Sequence, residues 1–270
     1  MTYAVLGAGK MGGALIRGIL ASGLTTGDRI IVSSRTRESA QQIASSLGVK
    51  SACSNAEAIR DAEIVFLCVK PAQATAVTAS VASELEGKLL ISIVAGIRSE
   101  DLFLAANGKV RVIRSMPNTA VRLRKGITAI APHPSSTEED LKMATAIFSS
   151  AGSALVVRES DLDTVTAVSG SGPAFALLML EAMAQGGIDG GLEPELAKTL
   201  AAGALAAAAA LVNETGQTPL ALRAEITSPA GTTAAGLEVL ENEGFPGIVR
   251  TSIRAARNRS IELSSPPINS

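Results

Sequence analysis

Residues 3–16 read YAVLGAGKMGGALI. The apolar run Ala4–Leu6 passes straight into Gly7-Ala8-Gly9-Lys10-Met11-Gly12, and helical periodicity begins at once, so the local order is strand, glycine turn, helix. In that order the three glycines act differently. Gly7 permits the tight turn, Gly9 lets a pyrophosphate approach the backbone, and Gly12 lets helix and strand pack closely. Phosphates would lie on the free N–H groups of the helix start. The stretch therefore predicts a dinucleotide-binding α/β unit beginning at the N-terminus, with a merely structural turn as the alternative.

Downstream, short β-branched runs alternate with longer helical stretches up to Val157, the pattern of a parallel sheet covered by helices. Strands are expected near Ala4–Leu6, Arg29–Val32, Ile64–Val69, Leu89–Val94, Val110–Ile113, Gly126–Ile130 and Ala154–Val157. Helices are expected near Met11–Ser22, Arg37–Leu47, Asn55–Arg60, Gln73–Glu84, Glu100–Ala105 and Glu138–Ser149. Thr137, followed by three acids, can cap the last of these.

After Val157 the strand signal stops and Ala, Leu and Gly dominate, which divides the chain into residues 1–158 and 159–270. The second part reads as helices near Asp161–Ala167, Gly172–Gly186, Glu193–Asn213, Pro219–Ile226, Thr232–Glu243 and Pro246–Leu263. The expected architecture is a Rossmann-like, doubly wound parallel sheet followed by an all-α domain. The alanine-rich run from Ala201 to Ala210 has so little side-chain bulk that burial against a second copy is expected, making the helical domain a dimer interface. Ser264–Ser270, with Pro266 and Pro267, is expected to be a frayed end.

Composition narrows the partners. The chain has 270 residues, 47% hydrophobic and 18% charged, which excludes a disordered chain. Lys+Arg 24 against Asp+Glu 25 gives a net charge of -1 and none of the basic excess that nucleic-acid binding uses. Cys53, Cys68 and one histidine can build neither a disulfide framework nor a zinc site, so no metal is expected and a reduced, cytoplasmic setting fits. The N-terminus lacks a basic region ahead of its apolar run, unlike a secretory signal. Leu200–Val212, the longest apolar block, would be about 20 Å long as a helix, short of the roughly 30 Å a membrane requires.

At the end of the second strand stands Ser33-Ser34-Arg35-Thr36-Arg37, where an NAD site would carry a carboxylate for the ribose 2′-hydroxyl. Hydroxyls and guanidinium groups suit a 2′-phosphate instead, which points to NADP; a solvated loop is the other reading. Val69-Lys70-Pro71 and Ala95-Gly96 end two further strands and should flank the nicotinamide half. Lys70 reads as a catalytic acid or as a cofactor or surface contact. Ser115-Met116-Pro117-Asn118-Thr119 is expected as a loop after another strand, bringing an amide and a hydroxyl to the same edge. His133, between Pro132 and Pro134, is expected in an exposed loop without a catalytic partner.

In the helical part, Thr227-Ser228-Pro229-Ala230-Gly231-Thr232-Thr233 precedes a helix. Ser228 could be its N-cap with Pro229 at the first position, or Thr232 could cap a later start. Such a terminus is either a carboxylate site or only a cap. Ser169-Gly170-Ser171-Gly172-Pro173 is a second glycine-rich helix entry. In hydroxy-acid dehydrogenases of similar architecture a lysine follows a few residues later as proton acceptor; here no lysine appears until Lys198, which argues against alcohol oxidation.

Taken together, GAGKMG, Cys68-Val69-Lys70-Pro71, Ser92–Gly96, MPNT at Met116–Thr119, SGSGPAF at Ser169–Phe175 and TSPAGTT at Thr227–Thr233 resemble pyrroline-5-carboxylate reductase along nearly the whole chain. The resemblance implies reduction of the C=N bond of Δ1-pyrroline-5-carboxylate to L-proline with NADPH or NADH, the last step of proline biosynthesis. It implies homodimers through swapped helical domains, often assembled into decamers. It implies further that Ser228, Gly231, Thr232 and Thr233 hold the substrate carboxylate, with Ser228 and Thr233 nearest the chemistry. The cofactor would be lined by Gly7, Gly9, Lys10, Met11, Gly12, Ser34, Arg35, Asn55, Val69, Lys70, Pro71, Ala95, Gly96, Pro117 and Asn118. Three places depart from the family pattern: Ala120 after MPNT, Thr218-Pro219, and Leu222-Arg223-Ala224. The alternatives are a reductase of another cyclic imino acid and a non-catalytic dinucleotide-binding regulator. The chemistry suits the residues present: a cyclic imine protonates in solution, so a site poor in histidine and lysine need mainly align it with the hydride.

Overall fold

The computed structural model describes residues 1–264, so the expected frayed tail beyond Ser264 lies outside the described residues. The chain separates into two compact units. One is Met1–Gly170 together with residues 256–264, and the other is Ser171–Ala255.

The first unit holds eight strands, β1 (Tyr3–Leu6), β2 (Ile30–Ser33), β3 (Lys50–Ser51), β4 (Ile64–Leu67), β5 (Leu89–Ser92), β6 (Arg111–Pro117), β7 (Gly126–Pro132) and β8 (Gly152–Val156). Its helices are α1 (Lys10–Ala21), α2 (Arg37–Leu47), α3 (Asn55–Ile59), α4 (Ala74–Ser80), α5 (Ser99–Ala105), α6 (Glu138–Ser149) and α7 (Leu162–Val165). The sheet order is β3-β2-β1-β4-β5-β6-β7-β8, so the chain leaves β1 first to one side and then to the other. That reversal between β1 and β4 opens a crevice at the carboxyl edge.

Both faces of the central strands are buried, because helices cover both. Val5, Phe66, Ile113 and Ile130 meet Leu15, Ile16, Ile19, Ile147 and Phe148 on one side. Ala4, Leu6, Val65, Leu67 and Val112 meet Ala58, Ile59, Leu85 and Leu102 on the other. Thr137 caps α6 in a capping box: its hydroxyl accepts from Asp140 N at 3.1 Å, and Asp140 Oδ2 accepts from Thr137 N at 2.9 Å.

The Rossmann-like, doubly wound sheet followed by helices is as expected, and two details are corrected. The sheet is not wholly parallel, since β6 and β7 run antiparallel. Only a 3₁₀ turn, Thr119–Leu123, joins them, and a parallel pair would need a crossover of a dozen residues or more. The second correction concerns Ser115, Met116 and Pro117, which are not in a loop but continue β6, held by pairing with Ile130, Ala129 and Thr128.

The second unit contains α8 (Gly172–Asp189), α9 (Pro194–Thr215), α10 (Pro219–Glu225), α11 (Thr232–Asn242) and the first part of α12 (Phe245–Ser264). The short connection Gly190–Glu193 makes α8 and α9 neighbours in a hairpin. A β-carbon on Gly187 would lie 3.2 Å from that of Ala197, so the two helices approach on small residues. Leu177, Leu178, Leu200, Leu220, Val239 and Ile248 are exposed. Two helical runs, Glu159–Asp189 and Pro194–Thr215, are long and apolar enough to cross a membrane by length and composition alone. The helix around Leu200–Val212 thus extends beyond that block at both ends, and the sequence-based argument from its length does not hold.

Candidate active site

At the carboxyl edge the glycine turn is pressed onto the neighbouring strand end. Gly7 has φ +77, and a β-carbon there would stand 2.7 Å from Val69 Cγ1 and 3.0 Å from the Val69 backbone. Ser33 O, at the end of β2, accepts from Gly7 N at 3.0 Å and Ala8 N at 3.4 Å. A β-carbon on Gly12 would meet Cys68 Cβ at 3.3 Å, tighter than ordinary contact, and Val5 Cγ1 at 3.5 Å, so the glycine lets α1 pack closely on β1 and the end of β4. At Gly9 the nearest heavy atom to such a carbon is 3.9 Å away. Gly9 is the N-cap of α1, without a side chain to cap it and without an acid in the first turn. The first bond into the helix is Gly13 N to Gly9 O at 2.8 Å, which leaves the N–H groups of Lys10, Met11 and Gly12 for an anion.

Beside this turn a hollow of about 330 Å³ is lined by Ser34, Arg35, Thr36, Ser39, Lys70 and Gln73. Arg37 is not among its walls; it is the first residue of α2, whose start is capped by the Thr36 hydroxyl. Nothing in the sequence marks Gln73, because only the fold carries it to the hollow that Arg35 lines. Asn55 opens α3, and its Oδ1 accepts from the Ser33 hydroxyl at 2.7 Å, tying it to the end of β2. Lys70 is exposed and also lines a larger cavity of about 870 Å³ with Pro71, Thr75, Asp101 and Leu263. Ala95 and Gly96 follow β5, and Gly96 sits with φ +76 against Leu263. The structure thus brings the residues from Gly7 to Asn118 named above to one edge of the sheet.

Two side chains do other work than the sequence suggested. Asn118 is a turn builder: its Oδ1 accepts from Ala120 N at 3.2 Å and Ile127 N at 3.3 Å. His133 is buried, not exposed. Ser135 N donates to its Nδ1 at 3.1 Å, which makes that nitrogen the acceptor and leaves Nε2, 2.9 Å from Glu100 Oε2, to donate. Its ring lies 4.8 Å from that of Phe103, so it is a structural residue. Burial raises the Cys68 thiol far above its ordinary value, and the thiol stays protonated. Among the described residues, no group of three or more His, Cys, Asp or Glu side chains could hold a metal ion.

Arg114 and Glu159 form a network that the sequence did not announce. Glu159 Oε1 accepts from Ser99 N at 2.7 Å and from Arg114 Nη1 at 3.2 Å, and the Ser99 hydroxyl donates to Oε2. Burial opposes the charge on Glu159, but the bonds from Ser99 and Arg114 outweigh it and hold the carboxyl below its usual value.

In the helical unit, Gly231 is the N-cap of α11, so neither Ser228 nor Thr232 caps it. Gly231 N donates to Ser228 O at 3.1 Å in a tight turn, and a β-carbon on Gly231 would strike Ser228 Oγ. Ala230 is held at φ 56, a strained conformation for a residue with a β-carbon. Ala235 N is the first amide bonded back to Gly231 O, at 3.1 Å, which frees the N–H groups of Thr232, Thr233 and Ala234. Ser228, Thr232 and Thr233 are exposed at this end. The turn has the donors to hold a carboxylate without a cation. Of the departures noted in the sequence, Thr218 caps α10, Leu222 is buried, and Arg223 pairs with Glu241 at 3.1 Å.

Comparison with known proteins covers nearly the whole chain. Residues 159–263 match the model of the pyrroline-5-carboxylate reductase dimerisation family, and residues 2–96 that of the coenzyme F420-dependent NADP oxidoreductases. The chain is 39% identical to a pyrroline-5-carboxylate reductase of Methanosarcina acetivorans over 96% of each chain. It is 36% identical to one from Arabidopsis thaliana, over 96% of this chain and 94% of that one. Among solved structures, the Plasmodium falciparum pyrroline carboxylate reductase with NADP bound superposes with a TM-score of 0.89, at 29% identity over 98% of both chains. That of Coxiella burnetii gives 0.91, also at 29%, over 98% of this chain and 99% of the other.

Proposed function

The chain belongs to the pyrroline-5-carboxylate reductase family, and on that premise we propose that it reduces Δ1-pyrroline-5-carboxylate to L-proline, the last step of proline biosynthesis. The observation that carries this reading is a pair of helices entered through bare glycine caps, α1 and α11, each offering free N–H groups where a side chain would otherwise stand. One suits a pyrophosphate and the other a carboxylate.

The cofactor is NADPH, with NADH as a second donor; the hollow beside Arg35 and Ser34 supports the 2′-phosphate. The open space over Gly9 and the uncapped start of α1 fit the pyrophosphate, at Gly9, Lys10, Met11 and Gly12. Val69, Lys70, Pro71, Ala95, Gly96, Pro117 and Asn118 border the rest of the cofactor, and Asn55, braced by Ser33, stands near the ribose. The bound nicotinamide supplies the hydride that reduces the C=N carbon.

Everything else is orientation. Ser228, Gly231, Thr232 and Thr233 bind the substrate carboxylate through amides and hydroxyls. The Ser228 and Thr233 hydroxyls, uncommitted to any partner among the described residues, hold a proton at the ring nitrogen directly or through water. Because the imine protonates before it binds, such weak acids suffice.

The functional division lies between residues 158 and 159, supported by the change of composition and by the start of the dimerisation match. The exposed leucines of α8 and α9 support a homodimer through the helical part, assembled further into decamers, in which these apolar helices are covered by protein and not by lipid. The free thiols of Cys53 and Cys68 support a cytoplasmic location.

The test follows NADPH, and separately NADH, by absorbance with purified protein and Δ1-pyrroline-5-carboxylate, with the six-membered imine in parallel and sedimentation velocity on the same sample. Turnover of the five-membered imine with proline as product is expected. Preference for the six-membered ring, or cofactor binding with no turnover of either, would overturn the assignment.

A further inference from the structure

Ser169-Gly170-Ser171-Gly172-Pro173 belongs to neither of the two anion-binding helix starts. Its first residues leave the α-helical pattern, since Thr166–Gly170 wind as a π-turn between α7 and α8. Such turns displace one residue from the helical ladder and recur at functional sites. Within this turn lies Ser169, whose Oγ is shut off from solvent and has no hydrogen-bond partner among the described residues. An unpaired buried hydroxyl carries a free-energy cost that a ligand can remove.

The turn is fixed against the end of β6. A β-carbon on Gly170 would lie 2.9 Å from Met116 Cε. β5 ends at Ser92, opposite Arg114, while β6 runs on through Met116 and Pro117. Ser169 therefore stands by the part of β6 that projects past the sheet's carboxyl edge, where the nicotinamide half is placed above.

Several polar groups nearby are engaged. Ser92 Oγ accepts from Val94 N at 3.2 Å, the Ser115 hydroxyl donates to Ser92 O at 2.9 Å, and the Thr166 hydroxyl donates to Leu162 O at 2.7 Å. Asn118 Oδ1 is spent on its own turn. Thr128 also has an unpaired buried hydroxyl, but it is paired with Pro117 across the ladder and so faces the side of the sheet opposite Met116.

We propose that Ser169 is a positioning residue for the cofactor, its hydroxyl donating to the carboxamide oxygen of the nicotinamide and setting the angle of that ring. The inference rests on the reading of the chain as an NADPH-dependent reductase. Ser169 moves no proton to or from the substrate; it acts on the donor ring alone.

Calorimetric titration separates this role from a structural one. Wild type, Ser169→Ala, Ser169→Cys and the neighbouring control Ser171→Ala are titrated with NADPH and with 2′,5′-ADP, which has the 2′-phosphate but no nicotinamide. Ser169→Ala is expected to weaken NADPH about 3- to 10-fold, the size of one hydrogen bond, with 2′,5′-ADP unchanged. In turnover the KM for NADPH rises and the KM for the imine does not. Ser169→Cys keeps the volume but donates weakly, behaves like the alanine variant, and carries the test should that variant fail to fold. Equal weakening of both nucleotides, or of neither, would overturn the proposal. A wild-type protein that binds no NADPH would overturn the functional reading itself.

Discussion

Gly7 and Val69 are in contact across the crevice between β1 and β4: no β-carbon fits at Gly7, because it would stand 2.7 Å from Val69 Cγ1. The turn that presents α1 to a phosphate is therefore held by the end of β4. Gly7→Ala adds this clash to a φ of +77 and is expected to cost about 2–4 kcal/mol in denaturant unfolding. Gly9→Ala has room on the protein side and should unfold within about 1 kcal/mol of wild type, yet lose NADPH affinity at least tenfold. A Gly9→Ala protein that binds NADPH normally would remove the pyrophosphate from that position.

Arg35 is exposed and lines the hollow with Ser34 and Lys70. Arg35→Asp should lower kcat/KM for NADPH by about 10- to 100-fold, the worth of a lost charge-assisted contact plus repulsion, and largely spare NADH. Unchanged NADPH kinetics would defeat the assignment of this loop to the 2′-phosphate.

For the carboxylate, the informative change is Thr233→Val, which keeps the helix start and removes a hydroxyl. The KM for Δ1-pyrroline-5-carboxylate should rise much more than the KM for NADPH. Equal changes in both would count against the placement.

Glu159 gives a pH dependence of known sign. Its carboxyl is held below the ordinary value in the folded chain, so its contribution to stability is present above the unfolded value of about 4.3 and is lost as pH falls through the depressed folded one. Glu159→Gln leaves the buried Arg114 guanidinium without its counter-ion. The variant should melt lower than wild type at neutral pH, and the gap should narrow as pH drops below about 4. Melting curves that stay parallel down to pH about 3 would show that the Arg114–Glu159 pair is not a source of the acid sensitivity.

Much of this protein is local and was legible in the residues. Strand, glycine turn and helix at Ala4–Gly12, the helix Arg37–Leu47, the capped helix Glu138–Ser149 and the last strand near Ala154–Val157 all follow from periodicity, caps and turn chemistry, which act over a few residues. What stayed illegible depends on groups far apart in the chain. Nothing local shows that Ser115–Pro117 extend a strand, because the partner that holds them, Thr128–Ile130, comes later and runs antiparallel. His133 reads as exposed between two prolines until Glu100 and Phe103 are packed against it. The start of α11 was placed on side chains able to cap, whereas a turn through Ala230 hands the position to Gly231.

The same division holds for the candidate site. Sequence alone determined which residue types are present, a glycine-entered helix start after the first strand and an arginine where an NAD site would carry an acid, because backbone freedom and charge are properties of single residues. Tertiary structure decided which of them share a space: Lys70 and Gln73 with Arg35, Asn55 with Ser33, and Ser169 beside the end of β6. Those neighbours are separated along the chain and meet only because the sheet gathers its strand ends at one edge.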